Sequence, residues 1–418
     1  MKLKRRQFLK SSATGAAIAS FPIAGCRSSS PDTDYTPLDE VLSKSVLKKA
    51  LFQEPIIIDS LDLLRYGNNF ICRVHSKDGA EGLSVSNNDQ MRSLYPIFIN
   101  RLQPFFINKD ARDLESLIEE VYVYRSNYKL QNLALWVPLA TIEFAILDLL
   151  GRVSGISIGN LIGTIHNPEI AVYRANNYRG KTAEESVELI KHDVEETNAR
   201  ALKFKVGGRM SHNADYPPGR TDKLIPLIRE TFGDDMTIYA DSNGSYTVDE
   251  AIRVGRLMEA HKFDFYEEPV PFDWYEETKD VAEILTIPIA GGEQEPSLHQ
   301  FRWLIGNNAL DIVQPDMFYF GGMIRSIKVA LMGHARGKTC IPHMSGSGLG
   351  YLYMMHFVSA LPNAGPFHEF KGFNNQIPFE CETSPLTSKN GVLMVPSGPG
   401  SGIEIDPDFI QKHEVVKE

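Results

Sequence analysis

The sequence is poor in cysteine, and its few cysteines form no pattern typical of a metal site. Cys26, Cys72, Cys340 and Cys381 lie far apart, without a Cys-x-x-Cys pair or a Cys/His spacing. A zinc site built on thiolates is therefore not expected. The 418 residues are 43% hydrophobic, which is enough for a large core, so the fold needs no disulfide bonds.

The chain also lacks an excess of positive charge. It carries 43 Lys and Arg residues against 53 Asp and Glu residues, a formal net charge of −10. Nucleic-acid binding depends on cationic side chains that neutralise phosphates, so this composition argues against it.

The first 26 residues are predicted to be an export signal. The basic segment Lys4–Lys10 precedes an apolar stretch, Ser11–Ala24, that is too short to span a membrane. Its paired arginines resemble a twin-arginine signal, and Ile23–Cys26 resembles a lipobox, in which the cysteine is lipidated. We expect a periplasmic protein that is anchored through Cys26 and has no other contact with the membrane. A soluble secreted protein with an incidental cysteine is the alternative.

The segment after the signal is rich in Ser and Pro, and residues 27–50 are predicted to be a linker. Residues 51–165 then combine strand and helix patterns, which indicates an α+β unit. Strands are predicted within Leu51–Val85, with a hairpin turn at Asp78-Gly79, and helices over residues 111–125 and 137–153.

From about residue 166 short apolar strands alternate with amphipathic helices. The gaps between successive strand ends, from Lys205 to Glu369, measure 23 to 36 residues. This regularity predicts an α/β fold with a TIM-type (β/α)7–8 barrel in residues 166–374. An open doubly wound sheet is the alternative. The helices are predicted at Ala183–Thr197, Thr221–Thr231, Val248–Ala260 and Gly322–Arg336.

Almost every predicted barrel strand ends in a charged or imidazole side chain. The predicted ends are Arg174, Lys205, Asp241, Glu267, Glu293, Asp316, His343 and Glu369. A barrel carries its functional groups at the carboxyl ends of its strands, and buried charges are costly unless they are paired or bound to a metal. The sequence therefore predicts an active site at this end of the barrel.

Three acids, Asp241, Glu267 and Glu293, end consecutive predicted strands. Oxygen ligands without cysteine or a histidine pair favour Mg²⁺, with Mn²⁺ also suitable. Three solvated loop acids are the alternative interpretation. Because side chains alternate along a strand, Glu267 and its neighbour Glu268 are expected to point in opposite directions.

Lys203 and Lys205 are two residues apart on one predicted strand, so both ammonium groups should face the same site. A nearby like charge and burial both lower a lysine pKa, which would make one of them a general base. An exposed pair of lysines is the alternative.

Asp316 and His343 end neighbouring predicted strands, across the barrel from the two lysines. A carboxylate that accepts the imidazole N–H fixes the tautomer and favours the imidazolium. We expect this pair to act as a catalytic dyad. Glu369 is predicted to be a protonated acid that donates a hydrogen bond to substrate, with a plain ion pair as the alternative.

Taken together, these residues resemble the mandelate racemase subgroup of the enolase superfamily, over about residues 50–410. The motifs that carry the resemblance are the Lys-x-Lys of the second strand, the three acids of the third to fifth, the Asp–His pair of the sixth and seventh, and the acid of the eighth. The resemblance implies that Lys205 is the base, that Lys203 modulates it and contacts the carboxylate, and that Asp241, Glu267 and Glu293 bind Mg²⁺. Leu147–Gly151 and Pro399–Ile403 also resemble framework segments of this family. The resemblance implies that the α+β domain caps the barrel and that about residues 375–418 complete this cap.

Two loops have no counterpart in that resemblance. Ser345–Gly348, directly after His343, is glycine-rich and matches no known substrate signature. The turn Tyr66–Asn69 in the predicted cap is short, which favours an open pocket.

The predicted reaction is removal of the proton next to a carboxylate. The resemblance implies dehydration of a sugar acid to a 2-keto-3-deoxy acid. Racemisation, epimerisation or cycloisomerisation of a hydroxy acid by 1,1-proton transfer is the alternative, and a non-catalytic lipoprotein that binds acid sugars is a third hypothesis. The expected partners are a small carboxylate substrate and further copies of the chain, in a homo-oligomer.

Overall fold

The computed structural model describes residues 33–372 and 376–417, so the predicted export signal and Cys26 lie outside the described residues. The predicted linker, residues 27–50, differs from the structure from Asp34 onward. Helix α1 (Thr36–Leu42) packs on the barrel with Leu38 fully buried, and Asp39 pairs with Arg302 at 2.6 Å. This segment is part of the folded domain because its apolar and charged side chains both find partners there.

The cap begins with three strands of an antiparallel sheet, to which a C-terminal strand adds a fourth. They are β1 (Ile58–Tyr66), β2 (Asn69–Ser76) and β3 (Glu81–Val85). The predicted turn at Asp78-Gly79 joins β2 to β3, and Gly79 has φ +90°, a value that glycine adopts without strain. The hairpin prediction is confirmed.

The helices of the cap are α2 (Asn88–Ile97), α3 (Gln103–Phe106), α4 (Leu114–Val123), α5 (Leu133–Ser154) and α6 (Ile158–Ile162). Helical turns lie at Lys49–Leu51, Phe98–Leu102, Ala111–Asp113 and Tyr124–Leu130. Helix α5 is the core of this domain. It is long and apolar enough to cross a membrane by length and composition, but 89% of its most apolar window is buried inside this fold.

Eight parallel strands form the barrel, which confirms the predicted fold class. They are β4 (Glu169–Ala175), β5 (Ala201–Lys205), β6 (Thr237–Asp241), β7 (Phe265–Glu267), β8 (Ile289–Gly291), β9 (Ile312–Val313), β10 (Thr339–Cys340) and β11 (His368–Phe370). β11 pairs with β4, and a parallel bridge between Cys340 and Ala364 connects the remaining two ends. The sheet is therefore a ring with its carboxyl ends at one mouth.

Seven helices follow the barrel strands. They are α7 (Ala183–Thr197), α8 (Arg220–Phe232), α9 (Val248–Ala260), α10 (Tyr275–Ile284), α11 (Leu298–Gly306), α12 (Met323–Ala335) and α13 (Tyr351–Ser359), with the turn Gly348–Gly350 before the last. The C-terminal part adds β12 (Phe379–Glu380), β13 (Val392–Met394), β14 (Glu404–Ile405), α14 (Pro407–Ile410) and β15 (Glu414–Val415). β13 pairs with β4 of the barrel, whereas β15 pairs with β1 of the cap.

Alternation along β5 shows how the sequence places the site. Leu202 and Phe204 belong to the apolar cluster under the outer helices, whereas Ala201 lies in the cluster inside the ring. Tyr239 and Phe265 fill the interior, with ring centroids 3.8 Å apart. The inward positions nearer the mouth are polar, so the charges lie on top of an aromatic plug.

Asp148 on α5 connects three parts of the cap. Its Oδ2 accepts hydrogen bonds from the backbone N–H of Leu83 (2.9 Å) and from Nε of Arg152 (2.8 Å). Its Oδ1 accepts the N–H of Ser401 (2.7 Å) in the returning C-terminal segment. A side chain on Gly151 would meet the backbone of Gly400 at 2.6 Å, so this crossing needs a glycine. One buried carboxylate therefore holds sheet, helix and C-terminal segment together.

Replacing Asp148 with alanine should lower the free energy of unfolding by about 3–5 kcal/mol, because two backbone donors and a guanidinium lose a buried acceptor. The shift of the urea-unfolding transition measures this loss. Asp235→Ala, at an exposed site, is the matched control and should change the stability by less than about 0.5 kcal/mol. An equal shift in the two variants would contradict this account of the cap.

Candidate active site

Three adjacent strands place the first functional side chains next to one another. Lys205 on β5 is in register with Asp241 on β6, and Asp241 is in register with Glu267 on β7. These residues end their strands as predicted. Lys203 is two residues earlier on β5 and faces the same side.

Glu293, Asp316 and His343 lie beyond the ends of β8, β9 and β10, because these strands are shorter than the sequence pattern suggests. Glu293 follows Gly292, whose φ is +111°, and Asp316 and His343 each follow a proline. A proline has no N–H to donate to a ladder, so β9 and β10 end before Pro315 and Pro342. Irregular backbone therefore carries these side chains to the mouth.

The three predicted metal ligands come together. Asp241, Glu267 and Glu293 each have a carboxylate oxygen within 4.8 Å of the others. All three residues are buried, with at most 7% of the residue surface exposed. Burial opposes the ionised form of Asp241, but Lys205 and Lys203 outweigh this effect and hold the pKa of Asp241 below its ordinary value. Burial and the neighbouring carboxylates raise the pKa of Glu267 despite Lys203.

The two lysines neutralise this acidic cluster. Nζ of Lys203 lies 2.8 Å from Oε2 of Glu267 and 3.7 Å from Oε1 of Glu369, and Lys205 forms an ion pair with Asp241. Burial works to lower the pKa of Lys203, but Glu267 and Glu369 raise it well above the ordinary value. The expectation that neighbouring charge lowers the pKa of this lysine is therefore wrong, because its nearest charged groups are carboxylates.

Glu268 also departs from the sequence prediction. Its φ of +43° breaks the alternation of the strand, so it does not point away from the site as expected. Its carboxylate is buried, with Oε2 3.5 Å from Nδ2 of Asn243. Burial, followed by the charges of Glu293, Asp241 and Glu267, raises the pKa of Glu268 well above its ordinary value. The acidic cluster thus contains a fourth carboxyl group.

Asp316 and His343 form the predicted pair. Nδ1 of His343 lies 2.8 Å from Oδ2 of Asp316, and the same oxygen accepts the N–H of Ser345 at 2.8 Å. The other imidazole nitrogen, Nε2, lies 3.2 Å from Oε2 of Glu293. Burial works against the imidazolium, but Glu293, Glu369 and Asp316 together raise the pKa of His343 to about 9.

Glu369 accepts hydrogen bonds, contrary to the donor role predicted for it. Its Oε2 accepts the N–H of Met344 at 2.9 Å, and its Oε1 lies 3.4 Å from Nζ of Lys371. Burial would raise the pKa of Glu369, but Lys203, Lys371 and His343 hold it well below the ordinary value. The protonated-acid prediction is wrong for this arrangement, because three cationic groups surround the carboxylate.

Several polar residues around the site were missed by the sequence reasoning. The backbone N–H of Asn243 donates to Oδ1 of Asp241 at 2.7 Å, and Nε2 of Gln314 donates to Oε2 of Glu267 at 2.9 Å. Tyr319 packs beside His343, with ring centroids 6.2 Å apart. Gln314 could have been found from its position two residues before Asp316, whereas nothing in the local pattern marks Asn243 or Tyr319.

The donor set fits a divalent cation with oxygen ligands. Oε2 of Glu293 is buried and makes no hydrogen bond of good geometry among the described residues, although His343 lies close to it. The lysines occupy oxygens of the other two acids. Three converging carboxylates, two lysines and an Asp–His pair at the mouth of a barrel define a class of enzyme that binds a hard cation and moves protons at a bound substrate.

Comparison with known proteins agrees with this class. Residues 185–409 match the family described as Enolase C-terminal domain-like, and the chain belongs to this family. It is therefore an enzyme of the enolase superfamily, as the sequence motifs predicted.

The relatives found in the comparison are named for acid-sugar reactions. D-galactarolactone cycloisomerase from Agrobacterium fabrum is 28% identical over 319 residues, which cover 73% of this chain and 81% of that protein. Arabinonate dehydratase from Saccharolobus solfataricus is 26% identical over 313 residues, covering 75% and 81%. A mandelate racemase/muconate lactonizing protein from Paracoccus denitrificans, solved with magnesium, shares the fold with a TM-score of 0.77 at 23% identity, covering 87% and 99%.

Asp316→Asn should lower the pKa of His343 by about 1, because a carboxylate that favours the imidazolium becomes a neutral amide. The raised pKa of about 9 keeps the ring charged below that pH, and the stabilising contacts of the imidazolium are lost as the pH rises through it. NMR titration of the ring protons in chelator-treated protein, assigned with His343→Asn, measures the change. An unaltered pKa would show that Asp316 only positions the ring.

Proposed function

We propose that the protein is a Mg²⁺-dependent dehydratase of sugar acids that removes the proton α to the carboxylate. The observation that carries this proposal is the placement of two proton-transfer groups on either side of the acid trio. Lys205 contacts Asp241, the first acid, from β5, whereas Nε2 of His343 contacts Glu293, the third, from the β10 side. A substrate carboxylate held at the trio would have one group near each face of its α-carbon.

Asp241, Glu267 and Glu293 would hold Mg²⁺, and Mn²⁺ also suits such oxygen ligands. When bound, the cation supplies Lewis-acid stabilisation of the negative charge that develops on the substrate carboxylate. Lys203 gives up part of its contact with Glu267 and donates a hydrogen bond to the substrate carboxylate. Its 3.7 Å contact with Glu369 keeps the ammonium at this position.

In the dehydration, release of Lys205 from Asp241 lets its ammonium group give a proton to solvent, and the resulting amine takes the α-proton. The electron pair of the broken C–H bond forms a C=C bond as the β-carbon loses its hydroxyl group. The imidazolium of His343 gives its Nε2 proton to that hydroxyl, which leaves as water. The enol product tautomerises to a 2-keto-3-deoxy acid. Oδ2 of Asp316, 2.8 Å from Nδ1 of His343, favours the charged ring that carries this proton.

Proton transfer without loss of water is the second candidate. The same two groups could remove a proton from one face and return it to the other, as in a racemase or epimerase, or allow ring opening, as the name of the cycloisomerase relative indicates. His343, whose Nε2 lies beside Glu293, is a second proton-transfer group. Its presence favours this candidate as much as it favours dehydration. The two candidates differ in their products.

Incubation of the Mg²⁺-loaded protein with a panel of sugar acids in D₂O tests the proposal. Dehydration should give a 2-keto-3-deoxy acid with deuterium at C3, detected by NMR and mass spectrometry. An unchanged skeleton with an inverted, deuterated α-carbon would favour epimerisation. The absence of both exchange and product with every acid would leave only the binding function.

Two variants assign the proton transfers. Lys205→Ala should reduce turnover about 10²–10⁴-fold, while Mg²⁺ binding, followed by calorimetry, is retained. His343→Asn should suppress release of water more than exchange of the α-proton. Lys191→Ala, on the exposed face of α7, is the matched control and should behave like the unchanged enzyme. Full activity of Lys205→Ala would remove the base from the mechanism.

We also propose that the protein acts in the periplasm as a lipid-anchored homo-oligomer. The support for export and for the lipid anchor is the twin-arginine-type segment Lys4–Lys10 and the lipobox-like Ile23–Cys26. Cys26→Ser should move the mature protein from the membrane fraction to the soluble periplasm, because it removes the acylated thiol. Cys381→Ser is the control and should remain in the membrane fraction. Equal partitioning of the two variants would contradict anchoring at Cys26.

A further inference from the structure

A polar pocket of about 220 Å³ adjoins the catalytic pair and is not explained by the proton transfers. Its walls come from the β1–β2 turn, the start of α2 and the glycine-rich loop after His343. Residues that line it include Asn68, Asn69, Asn87, Asn88, Ser345 and Ser347. We call it the amide pocket.

The amide pocket is connected directly to the dyad. Nδ2 of Asn87 donates to the carbonyl oxygen and the hydroxyl of Ser345, at 3.3 and 3.1 Å. The N–H of Ser345 in turn donates to Oδ2 of Asp316, the oxygen that holds His343. A substrate whose α- and β-carbons lie at His343 would therefore extend its remaining carbons toward this pocket.

The amides of the pocket are held in place by the cap. Oδ1 of Asn88 accepts the backbone N–H of Phe70 at 2.9 Å, and its Nδ2 donates to Oδ1 of Asn69 at 3.3 Å. Among the described residues, Asn68 and the hydroxyl of Ser347 make no hydrogen bond. Amides and hydroxyls both donate and accept, which matches the hydroxyl groups of a sugar chain.

The charges around the pocket are unfavourable for an anion. Among the described residues that line it there is no lysine, arginine or histidine, and Asp89 contributes a negative charge. The start of α2 would attract an anion, but Asn87 accepts the N–H of Gln90 and Asp89 stands in the first turn. The nearby ammonium of Lys371 is held by Glu369 and by the carbonyl of Met344.

We propose that the amide pocket holds the uncharged, hydroxylated end of an aldonic acid and rejects the second carboxylate of an aldaric acid. This inference rests on the proposed function and narrows its substrate class. A carboxylate placed here would lose water without gaining a cationic partner and would face Asp89, whereas a terminal CH₂OH group could bond to the amides.

Matched acids that differ only at the terminal carbon test the proposal, such as galactonate against galactarate and gluconate against glucarate. For the pair with the higher turnover, kcat/KM for the aldonate should exceed that for the aldarate by about tenfold or more. The dissociation constants, measured by calorimetry with Mg²⁺-loaded Lys205→Ala, should show the same preference without turnover. Equal or stronger binding of the aldarate would overturn the proposal.

A charge introduced into the pocket should change the preference. Asn68 is exposed in the turn, so Asn68→Lys should fold normally, and it should lower the aldonate-to-aldarate ratio of kcat/KM by about tenfold. Asn100→Lys, at an exposed cap site outside the pocket, is the matched control and should leave the ratio unchanged. An equal ratio in the two variants would show that the distal group binds elsewhere.

These outcomes distinguish a failure of the amide-pocket assignment from a failure of the proposed function. A preference for aldarates, with exchange and product still formed, would overturn only the assignment of the amide pocket. Failure of every acid to bind the loaded protein would overturn both the pocket and the proposed function. Selective binding of aldonates without turnover would support the pocket and contradict the dehydration.

Discussion

The balance of buried charge at the barrel mouth is the constraint on which this structure depends. Asp241, Glu267, Glu293 and Glu369 are nearly inaccessible to water, and a buried carboxylate is tolerated only beside a compensating cation. Lys203, Lys205 and His343 supply that compensation. The same requirement brings the proton-transfer groups into the site. Lys203, Lys205 and His343 already contact the carboxylates, and these contacts must be exchanged when a cation binds.

The rest of the fold serves to hold this cluster still. The aromatic plug of Tyr239 and Phe265 closes the ring beneath it, and the cap closes over the mouth through side chains such as Asn87. Asp148 fixes the cap sheet to its long helix and to the end of the chain. The barrel mouth is thus lined mainly by charged side chains, whereas the cap places mainly neutral amides beside it.

Much of the fold could be predicted from the sequence because the strand and helix periods are regular and the inward polar positions are marked by charge. The positions of Lys205, Asp241 and Glu267 followed from that pattern alone. The loops could not be predicted in the same way, because alternation fails where the backbone leaves the strand, as at Glu268 with its positive φ. Protonation states were also beyond the sequence. The lowered pKa of Glu369 depends on Lys203, Lys371 and His343, which approach it only in three dimensions.

The prolines before Asp316 and His343 have a consequence for how such an enzyme can change. The acids of β6 and β7 belong to a hydrogen-bonded ladder, so a shift of either residue would disturb its neighbouring strands. The dyad sits on backbone that the ladder no longer constrains. Insertions or substitutions there can reposition an acid or a base while Asp241 and Glu267 keep their geometry in the ladder. One scaffold can in this way acquire different reaction outcomes through small edits on a single side of its mouth.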